Sequence, residues 1–372
     1  MKLIILLIVL LMTSCKPADV KSSDTNTVNE TQNIKQDNQA EKSEPITDES
    51  KNNDESQASI SEAISETSDS KSPLPMIDTS LKPNELGKIM VLMYHNIGEA
   101  EEEWVRTPEN FRRDLKYLYD NGYVPISLKD YVSGNIHTPA GKTPYVLTFD
   151  DTRENNFRYL EDGSIDPDCA VGILLEFAKE HPDIKPYCTF FGNADVPFRV
   201  NGQEKQKVNF LIENHMDLGN HTVNHPDLTG MNAEEVNYEV GHQAKYLSSL
   251  FDNGYEVNTI ALPFGSRPEN AEAEAMIFNG VYEGFEYKNI AVLNVGWDPY
   301  FSPYHLEFNP HEIHRIRASE TDVDGVGIYD WLKYFEDNPE ERFISDGHPE
   351  VITVKSKDME NIKETDKELF IY

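Results

Sequence analysis

Two short segments carry side chains of the right type and spacing for hydrolytic chemistry. Asp150 and Asp151 are adjacent carboxylates at the end of the apolar run Tyr145 to Phe149. His221 and His225 stand four apart in His221-Thr222-Val223-Asn224-His225. On a helix that spacing puts both rings on one face, as a ligand pair for zinc or a similar metal. Two imidazoles and one carboxylate leave a coordination position open for water, which a catalytic site needs and a structural site lacks. A third segment, Ala261-Leu262-Pro263-Phe264-Gly265, ends a strand-like run in a tight turn whose backbone N–H groups can face a developing oxyanion. Each segment alone also has an ordinary reading. Paired acids cap helices and turns, and eleven histidines make one such spacing unremarkable.

These groups need a scaffold, and the surrounding pattern predicts one. Ile89 to Tyr94 reads as a strand. Thr107-Pro108 opens a helix, with Thr as cap and Pro at the first helical position. Phe111, Leu115 and Leu118 fall on one face of it. Tyr145 to Phe149 is a strand, Ala170 to Ala178 a helix and Pro186 to Phe191 a strand. Met216 to Gly219 is a short strand-like run. Asn232 begins a long helix with Glu235 in the capping-box place, and Val236, Val240, Ala244, Leu247 and Phe251 line its apolar side. Thr259 to Leu262 and Ile290 to Val295 are further strands, and Ile328 to Phe335 is a late helix. Repeated β-then-α order predicts a parallel sheet flanked by helices, open or closed into a barrel. In such folds the C-terminal strand ends carry the active site, where Asp150 and Asp151 lie.

In order and context these segments resemble the polysaccharide deacetylase family, also called the NodB-homology or carbohydrate esterase 4 family. The resemblance covers roughly residues 88 to 320. Tyr94-His95-Asn96-Ile97 and Thr189-Phe190-Phe191 also resemble segments of wall-associated lipoprotein members. The resemblance implies a distorted (β/α) barrel of the polysaccharide deacetylase type. It implies one divalent metal, zinc first with Co, Ni or Mn as alternatives, held by Asp151, His221 and His225. Asp150 would be the base, and the backbone N–H of Phe264 would face the oxyanion. Two positions depart from the family pattern. The Arg usually found two residues before the Pro is Ala261, and the usual Tyr is Phe264. Without a fixed positive neighbour, Asp150 is expected to have a less depressed pKa than in relatives that keep the Arg. The family's general-acid His is matched here to His314, in Glu312-Ile313-His314-Arg315-Ile316, with Trp297 and Asp298 in the segment that supports it. His311, three residues before His314, would face the other side of a strand.

The implied activity is hydrolysis of acetyl groups on a cell-wall or extracellular polysaccharide, with N-deacetylation favoured. A non-catalytic glycan-binding lipoprotein and an O-acetyl esterase are the alternatives. A metallopeptidase is weaker, because no His-Glu-x-x-His occurs. The net charge of -33 over 372 residues argues against nucleic acid, which needs Lys and Arg to neutralise phosphate. No protein partner is evident.

The chain begins with Lys2 and ten apolar residues, Leu3 to Met12. That is too short to span a bilayer and reads as a signal-peptide core. Met12-Thr13-Ser14-Cys15 resembles a bacterial lipobox with Cys15 acylated. The expectation is export and anchoring to the outer face of a bacterial cytoplasmic membrane through lipidated Cys15, so the membrane is a partner. Residues 1–15 form the signal and residues 16–85 a disordered tether, rich in Ser, Asn, Asp and Glu. Residues 86–372 form the catalytic domain. Cys169 and Cys188 are expected to be two buried thiols.

Overall fold

A computed structural model describes residues 74–372 apart from Asp195, Asp322 and Asp324. The expected signal peptide, Cys15 and most of the expected tether lie outside the described residues. None of the described helices is long and apolar enough to cross a membrane.

The strands β1 (Met90–Tyr94), β2 (Thr143–Phe149), β3 (Cys188–Gly192), β4 (Met216–Asn220), β5 (Thr259–Ala261), β6 (Ala291–Leu293) and β7 (Ile316–Arg317) form one parallel sheet in the order β6-β5-β4-β3-β2-β1-β7. The strand Tyr123–Ile126 branches from β2. The sheet curls back on itself. Ile313, just before β7, bridges in parallel to Leu293 at the end of β6, while Ile316 pairs with Leu92 of β1. The result is a distorted (β/α) barrel. Alternate residues divide between two cores, as the two-residue strand period requires. Leu92, Leu147, Phe149, Phe190 and Leu218 pack outward against helices. Val91, Val146, Phe191, Ala261, Leu293 and Ile313 share a second cluster.

Local sequence explains the helices. In α1 (Pro108–Asp120) Pro108 is at the first position and the Thr107 hydroxyl accepts from the Asn110 N–H. Phe111, Leu115 and Leu118 are its buried face. The helix α2 (Ala170–Glu180) runs two residues beyond the sequence expectation, and α3 (Glu204–Glu213) had no strong apolar period to announce it. The helix expected from Asn232 starts with the predicted capping box, as α4 (Ala233–Asn237). It is not continuous. A π turn, Tyr238–His242, separates α4 from α5 (Gln243–Ser248), although Val236, Val240, Ala244, Leu247 and Phe251 are all buried as the pattern required. Two further helices, α6 (Ala271–Phe278) and α7 (Ile328–Asp337), complete the outer layer.

The tether boundary needs correction. Asn84, Glu85 and Leu86 are buried. The Glu85 carboxylate accepts from the backbone N–H groups of Thr353 and Asp346. The folded domain therefore begins before residue 86. Composition misplaced the edge because polar Asn84 and Glu85 are buried through hydrogen bonds rather than apolar contact. Cys169 and Cys188 are both buried free thiols.

Candidate active site

The predicted acids sit at the C-terminal end of β2. Asp150 is fully inside, and Asp151 leaves the strand with φ of 72°, followed by Thr152 at 40°. Such angles are uncommon for residues other than Gly and persist only where surroundings enforce them. Here Asp151 is fixed on three sides. Asn193 donates to its Oδ1 (2.8 Å), Arg153 reaches its Oδ2 (3.1 Å) and Arg199 donates to its backbone carbonyl (3.0 Å).

The two histidines converge, but not on a helix. The segment after β4 is a loop with Thr222 at φ 63° and His225 at φ 53°. The helical reading of the spacing is thus overturned, because buried hydrogen bonds select another backbone. Glu239 accepts from the N–H groups of Val223 and Asn224 and from the Asn224 side chain. The backbone carbonyls of Glu239 and Val240 accept from the Val223 N–H and the Asn220 amide. Both belong to the π turn, whose widened ladder turns carbonyls toward the histidine loop. This ties the helix irregularity to the site it supports.

Asp151, His221 and His225 each offer one ligand atom, and these atoms lie within 4.8 Å of one another. The chemistry of the set fits a divalent metal. His221 Nδ1 bonds the Ala261 carbonyl at 2.7 Å, which fixes the tautomer and aims Nε2 at the acids. That Nε2 is buried without a hydrogen-bond partner, with oxygens of Asp150 and Asp151 each 3.9 Å away. Burial lowers the His221 pKa against the pull of Asp150, so the ring is neutral and presents a lone pair. An orphaned, neutral, oriented nitrogen beside a carboxylate is the donor set a metal requires.

Asp150 does have a fixed positive neighbour. Arg315, fully buried on the seam between β6 and β7, places Nη1 2.7 Å from Oδ1 and Nη2 2.8 Å from Oδ2. Its Nε donates to the Asn294 carbonyl at 3.0 Å. Burial alone would raise the Asp150 pKa. Arg315, His221 and His95 outweigh it and hold the carboxyl well below the ordinary range. The premise of the expectation for Asp150, that it lacks a fixed positive neighbour, is therefore wrong. The chain lacks the Arg before the Pro and supplies one from another strand. The segment that carries it was in view, but only its His was weighed. The signal was the alternation Ile313-x-Arg315, an arginine on the same face as a core isoleucine.

His314, matched to the general acid, meets the Asp expected to support it. His314 Nδ1 bonds Asp298 at 2.9 Å beside the Tyr300 ring, on the partly exposed side. His311 stacks on Phe278. His95, at the end of β1, also stands beside Asp150, with Nε2 3.8 Å from Asp150 Oδ2. Burial lowers its pKa to about 4, against the pull of Asp150 and Asp151. Sequence reasoning noted Tyr94-His95-Asn96-Ile97 without assigning it a role. Phe264, with φ 57°, packs its ring edge-on against His225 at 4.7 Å and brings its backbone beside that histidine. A cavity of about 870 Å³ lies elsewhere, lined by Tyr255, Asn258 and Phe285, and holds none of these groups.

Residues 181–279 match the polysaccharide deacetylase family model. No curated protein matches the chain. Among solved structures, a deacetylase from Streptococcus pyogenes, PplD in complex with acetate, is 20% identical with a TM-score of 0.49, over 67% of this chain and 98% of that one. A polysaccharide deacetylase from Bacillus cereus is 20% identical with a TM-score of 0.47, over 67% and 69%. IcaB from Ammonifex degensii is 16% identical with a TM-score of 0.45, over 63% and 93%. The family match covers His221, His225 and Phe264, so over residues 181–279 this chain is similar to the polysaccharide deacetylase family.

Proposed function

We propose that the chain is a metal-dependent hydrolase that removes N-acetyl groups from a cell-wall or extracellular polysaccharide. The observation that carries this is the buried Asp150, ionised by Arg315 and set beside the Asp151, His221 and His225 donor set. A divalent metal held by those three, zinc first, would supply Lewis-acid polarisation of the acetyl carbonyl and acidify the attacking water. Asp150 takes the proton from that water. Arg315 keeps Asp150 ionised and aims it, as the family's missing Arg would. The Phe264 N–H faces the oxyanion. His95, neutral at pH 7, accepts the proton from Asp150 and passes it to the departing amine.

Arg315 also bears on the rival readings. Ala261, taken alone, would favour a glycan binder or an ester substrate that needs less catalytic help. With an arginine already on Asp150, that argument loses its force. A mere binder has no use for an oriented, ionised base. The proposal extends to export and to anchoring through a lipidated Cys15, on the strength of the apolar run and the Ser14-Cys15 pair.

The test is acetate release from a panel of acetylated glycans, with and without chelator. Asp150→Asn keeps shape and removes charge, so release should fall at least about a hundredfold while bound metal stays near one per chain. Equal release by wild type and variant, or none by either, would defeat the hydrolase reading.

A further inference from the structure

We infer that Trp104 is a stacking platform for a pyranose ring of the glycan, next to the reacting acetyl group; this rests on the deacetylase reading. Trp104 is 41% exposed, although indole is among the most costly side chains to leave in water. Its ring lies against His95, with centroids 4.6 Å apart, and His95 stands beside Asp150. The indole therefore continues the wall of the active site outward from the base.

The segment that presents it is stiff. A two-residue parallel ladder joins Asn96–Ile97 to Val105–Arg106. The Asn96 N–H donates to the Trp104 carbonyl at 3.2 Å. On one side of Trp104, Arg106 is buried and forks onto Asp114. On the other, Glu103 pairs with Arg317 at 2.6 Å, and that guanidinium lies over the indole at 4.9 Å. A rigid, exposed aromatic loses little freedom when a ligand covers it, as recognition surfaces require. The ligand chemistry follows from position. A sugar ring offers a face of C–H groups to an aromatic and a rim of hydroxyls to neighbouring polar groups. The platform favours substrates whose acetylated unit is a pyranose within a chain, because only a ring next to the acetyl group offers a face to the indole.

The test uses the full-length chain and a hexamer of N-acetylglucosamine. The chain has three tryptophans, Trp104, Trp297 and Trp331, so intrinsic emission reports on them. The expected result is a ligand-induced change in emission that survives Trp297→Phe and Trp331→Phe but disappears in Trp104→Phe. By calorimetry, Trp104→Ala should weaken hexamer binding more than about tenfold, with Trp104→Phe recovering most of the loss. In acetate release Trp104→Ala should raise KM with kcat little changed. Unchanged affinity in Trp104→Ala, an emission change that persists in Trp104→Phe, or no hexamer binding by wild type would overturn the platform. Acetate release with a KM indifferent to Trp104 would sink the platform and leave the deacetylase standing. Hexamer binding that depends on Trp104, without acetate release by wild type, would do the reverse.

Discussion

Among the described residues, Asp114 and Asp150 are buried aspartates that each receive an arginine on both carboxylate oxygens, yet the rest of their surroundings differ. Asp114, on α1, accepts from Arg106 Nε (2.8 Å) and the Tyr94 hydroxyl (3.0 Å) on one oxygen. On the other it accepts from Arg106 Nη2 (2.6 Å) and the Tyr329 hydroxyl (2.8 Å). A carboxylate has about four acceptor positions, and all four are filled. Asp150 has one fork and no more. Its other neighbours, His95 and His221, stop at 3.8 Å and 3.9 Å, beyond hydrogen-bond range. The same residue pair thus serves as a staple where it is closed and as a poised base where it is left half satisfied.

The sharpest way to break the comparison is at the staple. Arg106→Met leaves Asp114 buried with its cation gone, and removing one partner of a buried pair costs about 3–5 kcal/mol. We expect a large drop in the denaturant midpoint. The kcat per folded molecule should stay close to wild type, since Asp114 contacts none of Asp150, Asp151, His221 and His225, while KM for the glycan should rise because Arg106 holds the Trp104 segment. A variant of normal stability would show that the four bonds on Asp114 do not hold the fold. A folded variant without turnover would show that the two centres are coupled.

The matching change at the open pair is Arg315→Gln. Asp150 works as a carboxylate, and Arg315 depresses its pKa. A depressed acid contributes stability that is present above its unfolded value of about 3.9 and is lost as pH falls through the folded one. Taking Arg315 away raises the folded pKa by about 1–3 units. The acidic limb of the kcat/KM profile should move to higher pH by that amount, and Arg315→Lys should recover part of the shift. A limb that stays in place would mean that Arg315 does not set the charge of the base.

The contrast also explains what was legible beforehand. The acids, the histidine pair and most strands were readable because each is a local pattern of apolar residues and punctuation. The barrel class followed from element order. The geometry that makes Asp150 a base was not readable, because Arg315 lies 165 positions along the chain and reaches it only when β7 closes the sheet. The helical spacing of His221 and His225 misled because the loop is held by Glu239 and the π turn, which no periodicity encodes. His314 was matched through the order of the family's motifs, and its contact with Asp298 was named with it.

The last and smallest expected effect concerns His95, which distinguishes the open centre from the closed one on the substrate side. Burial holds its pKa near 4, so at pH 7 the ring carries no charge in the free protein. It works as a relay only if the leaving group needs a proton. An amine leaving from an N-acetyl group does, whereas 4-nitrophenolate does not. His95→Gln should therefore cut acetate release from an N-acetylated glycan by about a hundredfold, the low end for a lost acid, since Asp150 can return part of the proton itself. Hydrolysis of 4-nitrophenyl acetate by the same variant should fall far less, and bound metal should be unchanged. Because His95 packs against Trp104, the glycan kinetics must separate the two roles. A relay lowers kcat, and lost packing raises KM. Equal losses on both substrates would mean that His95 positions Asp150 instead of moving its proton, and Asp150 would then serve as base and acid in turn.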